Sequence, residues 1–250
     1  MASDAPPLPS GPPLPPKSSN STPYSSVQFL QAMPYSTVEK KGPFEGVRAL
    51  MDAYVYGGQI PGAFGAVIKK GQTNPVFIYQ SGWGDDNDTK LHGAYGEKAL
   101  YRFFSMTKPI VSTVAMMLIE EEKLSLEDPV SKYIPAFKDM KVLSEDGTLR
   151  DAKSPMLIKH LLSHTSGLQY SFVGSPALTK YYEEQKLMGL SGLFAYTSEE
   201  FCERVAKVPL LFDPGAHFQY GVSTDVLGRV LEVIAKEPLS KILKTKILGP

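Results

Sequence analysis

The chain has 250 residues, 42% of them hydrophobic and 21% charged, with 26 Lys plus Arg against 26 Asp plus Glu and a single cysteine. That length can bury the core of one ordinary domain. The zero net charge lacks the basic surplus of a nucleic-acid binder. Cys202 has no second cysteine for an internal disulfide or a thiolate zinc site. No apolar run reaches the ~18 residues of a membrane span. The N-terminus also lacks the basic-then-apolar layout of a signal peptide, so the expectation is a cytoplasmic protein without cofactor, metal, nucleic-acid partner or membrane span.

Composition changes near residue 28. Eight of the 21 prolines fall within residues 1–23, mixed with Ser and almost no bulky apolar residue. Such a stretch buries too little surface to offset its ordering entropy, so 1–27 is expected as a disordered tail with polyproline II bias and 28–250 as the folded domain. Pro12, Pro15 and Lys17 fit the P-x-x-P-x-K layout that SH3-type grooves accept. The plainer reading of this run is a solvated linker.

Phe44, Val47, Leu50, Met51 and Tyr54 recur at helical spacing and predict a helix over 44–56, stopped by Gly57-Gly58. Residues 63–69 and 76–80 read as strands joined by a turn at 71–74, a hairpin. The acidic stretch at 82–88 lacks the Gly and terminal Glu of a calcium loop and reads as a solvated loop. From 109 to 122 the chain is apolar on several faces, the pattern of a buried central helix that reaches water at Glu120-Glu121-Glu122. Further helices are predicted at 158–163, 179–186, 198–207, 224–236 and 239–247. Ser198 serves as an N-cap before the acidic pair Glu199-Glu200.

Several catalytic signatures are absent: G-x-G-x-x-G, G-x-x-x-x-G-K, H-E-x-x-H and G-x-S-x-G. His160 and His164 are four apart without an intervening acid, and both read as structural. What remains is one S-x-x-K tetrad, Ser105-Met106-Thr107-Lys108. With 23 Ser and 21 Lys, about two such tetrads arise by chance, so its context carries the weight. A strand-like Tyr101-Arg102-Phe103-Phe104 leads into Ser105, and Pro109 fits only near the start of a helix. Ser105 therefore sits where free N–H groups and the helix dipole favour negative charge. Lys108 lies one turn on, and burial there disfavours its ammonium and makes it a proton acceptor. A second proton-handling group is needed, and Tyr220, on the loop after Pro214-Gly215, is the candidate. Read locally, these residues also fit a capping serine with a surface lysine and a core tyrosine.

Four stretches, in this order, carry a resemblance: 104–109 (Phe-Ser-Met-Thr-Lys-Pro), 117–130, 161–168 (Leu-Leu-Ser-His-Thr-Ser-Gly-Leu) and 220–228 (Tyr-Gly-Val-Ser-Thr-Asp-Val-Leu-Gly). Together they resemble the serine β-lactamase and penicillin-binding protein superfamily, in its class C, esterase-type branch. The resemblance implies an α+β, β-lactamase/transpeptidase-like fold: a helical lobe plus the N-terminal hairpin of an antiparallel sheet that looks incomplete in this chain. It implies that Ser105 is acylated, that Lys108 is its partner, and that Tyr220 exchanges protons with Ser105 and the leaving group. The family's Y-x-N motif here has Val222 in place of the Asn, which favours esters over amides. The family's third motif, K-T-G or H-x-G, is expected beyond residue 250, and Lys244-Thr245-Lys246 does not replace it. The expectation is thus a serine hydrolase acting on a small-molecule ester or amide through an acyl-enzyme. The alternatives are an acyltransferase of the same family and an inactive, partner-binding relative.

Overall fold

The computed structural model describes residues 42–82 and 100–249. The tail at 1–27, its SH3-type motif and the loop at 83–88 lie outside the described residues. Two compact units are present, one ending at Arg102 and one running from Phe103.

In the first unit, helix α1 (Glu45–Tyr56) is followed by strands β1 (Gly62–Val67) and β2 (Phe77–Gly82). They pair antiparallel from Gly62 opposite Gly82 to Val67 opposite Phe77, the hairpin that the alternating pattern predicts. The pleat turns Phe77 and Ser81 inward and leaves Ile78 exposed. Asp52 of α1 accepts hydrogen bonds from the Tyr79 hydroxyl at 2.9 and 3.0 Å and from Ser81 Oγ at 2.7 Å. The Arg48 guanidinium covers the Phe77 and Tyr79 rings at 5.1 and 4.7 Å. Burial first, and then the Asp52 carboxylate, hold the Tyr79 phenol far above its ordinary range.

The second unit begins with a 3₁₀ turn, Phe104–Met106, running into α2 (Thr107–Glu120). The strand expected at 101–104 does not form. The Met106 N–H bonds to the Phe103 carbonyl at 3.1 Å instead, closing a turn, and Phe104 takes a left-handed φ of 45°. Helix α2 buries Val111, Val114, Ala115 and Leu118, while Met116 remains 43% exposed. Burial is therefore confined to one face, not all round as its composition suggested. A small hairpin of β3 (Lys141–Leu143) and β4 (Leu149–Asp151) follows, which periodicity did not reveal. Its turn rests on Gly147 at φ 82° and on Asp146 Oδ1, which accepts from both the N–H and the hydroxyl of Thr148.

The remaining elements are α3 (Ile158–Leu162), α4 (Thr179–Glu184), α5 (Gly189–Phe194), α6 (Ser198–Val205), α7 (Ser223–Ala235) and α8 (Leu239–Leu243), with a π-helical turn at Lys244–Leu248. All but α5 match predicted helices. The N-cap of α6 is Thr197, not Ser198. Thr197 Oγ1 accepts from the Glu200 N–H while the Glu200 carboxylate accepts from the Thr197 N–H, a reciprocal box that frees Ser198 to bond Glu232. Helix α7 is the hub, packed against α2, α3, α6 and α8, with Val226, Leu227, Val230 and Leu231 fully buried. Cys202 lies in the same core, and burial pushes its thiol up to about 12, so it behaves as a small apolar residue. Among the described residues no helix is long and apolar enough to cross a membrane. No group of three His, Cys, Asp or Glu side chains among them could hold a metal ion.

Candidate active site

Ser105, Lys108 and Tyr220 come together at the N-terminal end of α2. Ser105 Oγ receives a hydrogen bond from the Tyr220 hydroxyl at 2.7 Å and lies 3.4 Å from Lys108 Nζ. The serine and lysine are neighbours because they stand three residues apart where the 3₁₀ turn enters the helix. Neither the serine nor its neighbour caps the helix with a side chain, so the capping alternative is not realised. Lys108 Nζ also donates to the Tyr170 hydroxyl at 2.9 Å and lies 5.0 Å from the Tyr220 ring centroid.

Tyr220 arrives from a distant segment through a zipper of backbone bonds. The Leu210 N–H bonds to the Lys141 carbonyl at 2.7 Å, Leu211 to Gly167 at 2.9 Å, Gly215 to Thr165 at 2.7 Å and Gln219 to His164 at 2.8 Å. Gly167 makes the close approach feasible: its φ is 85°, and a Cβ there would lie 2.5 Å from the Phe212 carbonyl oxygen. Asp213 pins the start of the loop, binding the Arg150 guanidinium through two 2.8 Å contacts and accepting the Lys153 N–H at 2.9 Å. In the core, Ser166 Oγ meets Ser223 Oγ at 2.9 Å and ties the 161–168 segment to the start of α7.

Sequence reasoning missed Tyr170, which no motif marks. It is buried, with an exposed neighbour, Phe172, stacked on it at 5.0 Å. Its backbone is fixed by the Tyr182 hydroxyl, which donates to the Gln169 carbonyl at 2.7 Å, and by the Gln169 side chain, bonded twice to the Ser175 backbone. Val222, at the third position of the Tyr220 motif, is 1% exposed and belongs to the apolar core. Its side chain is spent on packing and offers nothing to a substrate amide.

The proton affinities differ from expectation. Burial is the largest single influence on Lys108 and disfavours its ammonium, but the Tyr170 and Tyr220 oxygens outweigh it and hold Lys108 above its ordinary value. For Tyr220, burial pushes upward, yet the contacts with Ser105 and Lys108 and the lysine charge prevail, and the phenol falls below its ordinary value. The two shifts run in opposite directions and both favour a proton on Lys108 over one on Tyr220, whereas burial taken alone favours Lys108 as the acceptor. Burial holds the Tyr170 phenol high, so it remains a neutral acceptor for the lysine. Asp225, in the first turn of α7, is held above its ordinary carboxyl value, because crowding by surrounding protein outweighs the pull of the Lys108 charge. His160 Nδ1 accepts the Leu157 N–H at 3.2 Å, a structural role as expected.

A serine at the head of a helix, a lysine one turn later and a tyrosine facing both, in an α+β lobe with only a small sheet, define the serine β-lactamase and penicillin-binding protein fold. The chain belongs to the Beta-lactamase family, whose model matches residues 47–250. Among its relatives, the esterase EstB of Burkholderia gladioli is 32% identical over 155 residues, 62% of this chain and 37% of EstB. The acyltransferase mokF of Monascus pilosus is 31% identical over 156 residues, 60% of this chain and 35% of mokF. The solved structure of EstCE1, a hydrolase with promiscuous acyltransferase activity, superposes with a TM-score of 0.62 at 30% identity, over 82% of this chain and 50% of EstCE1. The matched region is thus about a third of these curated relatives and half of the solved one.

Proposed function

We propose that Ser105 is the nucleophile of an ester-cleaving acyl-enzyme, with Tyr220 as proton carrier and Lys108 as the cation that acidifies it. The observation that carries this reading is the placement of Ser105 Oγ 2.7 Å from the Tyr220 hydroxyl and 3.4 Å from Lys108 Nζ. The reactive form has one proton fewer than the fully protonated trio, with the phenolate on Tyr220 beside the Lys108 ammonium. Ser105 Oγ bonds to the ester carbonyl carbon as its proton passes to Tyr220. The C–O bond to the alcohol then breaks, and Tyr220 returns the proton to the departing alkoxide. Water repeats the sequence in reverse, releasing the carboxylic acid and free Ser105. Tyr170 positions Lys108 between the two phenols. Phe104 and Met106 beside Ser105, Phe172 on Tyr170 and Phe218 near Tyr220 are all exposed, which favours an uncharged ester with an apolar acyl chain.

A second reading, supported by the names of EstCE1 and mokF, lets an alcohol replace water in the deacylation step and makes the chain an acyltransferase. Intact-protein mass after exposure to a fluorophosphonate, and turnover of p-nitrophenyl butyrate with and without added alcohol, test both. One adduct and turnover, both lost in Ser105→Ala and slowed by about 10²-fold or more in Tyr220→Phe, are expected. A folded protein that takes no adduct refutes the catalytic reading and leaves a partner-binding relative.

A further inference from the structure

His164 carries two features that folding stability alone does not favour. Its φ is 54°, in the left-handed region that strains a residue with a side chain. Its Nδ1 is buried and has no hydrogen-bond partner among the described residues, which opposes folding. The ring that carries this nitrogen packs against Tyr220. The imidazole and phenol ring centroids are 4.9 Å apart with the planes inclined at 40°, and Phe218 meets the imidazole edge-on at 6.1 Å. The His164 carbonyl also accepts the Gln219 N–H at 2.8 Å, so ring and peptide together hold residues 218–220.

The residue type fits these two demands. Asn, Asp and His are the side chains that enter the left-handed region most readily, and of these only His has a flat ring. We infer that His164 is a positioning residue: its imidazole is the surface against which the Tyr220 ring rests, and that contact keeps the phenol hydroxyl on Ser105 Oγ. The charged and titratable groups around this ring pair are Lys108 from α2, Tyr170 beside Tyr220, and Asp225 from the first turn of α7. Burial, and then the Lys108 charge, hold His164 below its ordinary value, so that surface is neutral at pH 7 and does not compete with Lys108 for the phenol oxygen.

The inference rests on the proposed role of Tyr220, but its first test does not need activity. His164→Asn keeps a side chain suited to the left-handed backbone and removes the ring; His164→Phe keeps a ring and removes both nitrogens. The Tyr220 phenol is titrated by NMR in protein carrying ¹³Cζ-tyrosine, with Tyr220→Phe assigning the signal. In His164→Asn the Tyr220 midpoint moves up toward the ordinary tyrosine value, and fluorophosphonate labelling of Ser105 slows about tenfold or more. In His164→Phe the midpoint stays at its wild-type position and labelling stays within about threefold. A folded His164→Asn that titrates like wild type overturns the inference, as does a folded His164→Phe with a displaced midpoint, so either variant decides if the other does not fold. If wild type takes no label, the catalytic reading fails, and the Tyr220 titration still decides the role of His164.

Discussion

Gly221 allows the sharpest test of how the two phenols are held. A Cβ at this position would lie 2.4 Å from Gln169 Cα, 2.6 Å from the Leu168 carbonyl oxygen and 2.7 Å from the Gln169 carbonyl carbon. All three are backbone atoms, so no rotamer change relieves the contact. Restoring a normal separation of about 3.5 Å requires the two segments to part by roughly 1 Å. One segment leads directly into Tyr170 and the other directly out of Tyr220, so a single displacement disturbs both partners of Lys108. Gly221→Ala should lose about 2–3 kcal/mol from overpacking, lowering the melting temperature by roughly 4–12 °C. Misplacing the phenol by ~1 Å should slow Ser105 labelling about 10²-fold. Gly46→Ala is the control: it lies in α1, with nothing within 4 Å of the added Cβ, and should melt no lower than wild type. The measurements are thermal unfolding by circular dichroism and the rate of fluorophosphonate adduct formation. Wild-type behaviour of Gly221→Ala in both, or a lower melting temperature with an unchanged labelling rate, refutes the argument.

The Arg150 bonds, with the Lys153 N–H, lower the Asp213 carboxyl to about 2. A folded value below the unfolded one gives stability that is present above about pH 4 and lost as pH falls toward 2; the shift is worth at most about 2.5 kcal/mol, and surface screening leaves about 1. Asp213→Asn should therefore lose about 1 kcal/mol at pH 7 and show a shallower acid decline in urea unfolding; a decline between pH 4 and 2.5 as steep as wild type would contradict this. Val222→Asn should lower stability by about 1–3 kcal/mol without creating amidase activity, because position 222 faces the core; measurable turnover of an anilide would show otherwise. Cys202 should resist iodoacetamide in native buffer and react only on unfolding, and native-state alkylation within minutes would contradict its burial.

What was legible in the sequence follows physical rules. Helices with a periodic apolar face announced themselves, as α7 does through Val226, Leu227, Val230 and Leu231. The β1–β2 hairpin was legible in its alternation and its turn residues. The β3 and β4 strands have three residues each, too few to show a period, although Asp146-Gly147 was a turn signal that could have exposed them. Helix α5 starts on one glycine and contains another, which hid it. Ser105 and Lys108 were readable as a local tetrad and Tyr220 from its loop after Pro214-Gly215 and then the resemblance, whereas Tyr170 is joined to Lys108 only by tertiary folding. The surroundings of Lys108 divide in the same way: its burial can be guessed from its neighbours in sequence, but the two phenols brought in from elsewhere cannot.

The hydrogen bond between Tyr220 and Ser105 spans 115 residues of chain, and the one between Lys108 and Tyr170 spans 62. Closing loops of that length costs chain entropy, and the intervening core, once formed, has already met that cost. Ser105 and Lys108 are adjacent in any state where the α2 turn is made, but without Tyr220 and Tyr170 they are an ordinary hydroxyl and an ordinary ammonium. On the proposed reading, nucleophilic character at Ser105 is therefore a property of the completed fold. On that reading the serine is chemically silent during synthesis or partial unfolding, and the onset of its labelling would mark the arrival of the native state.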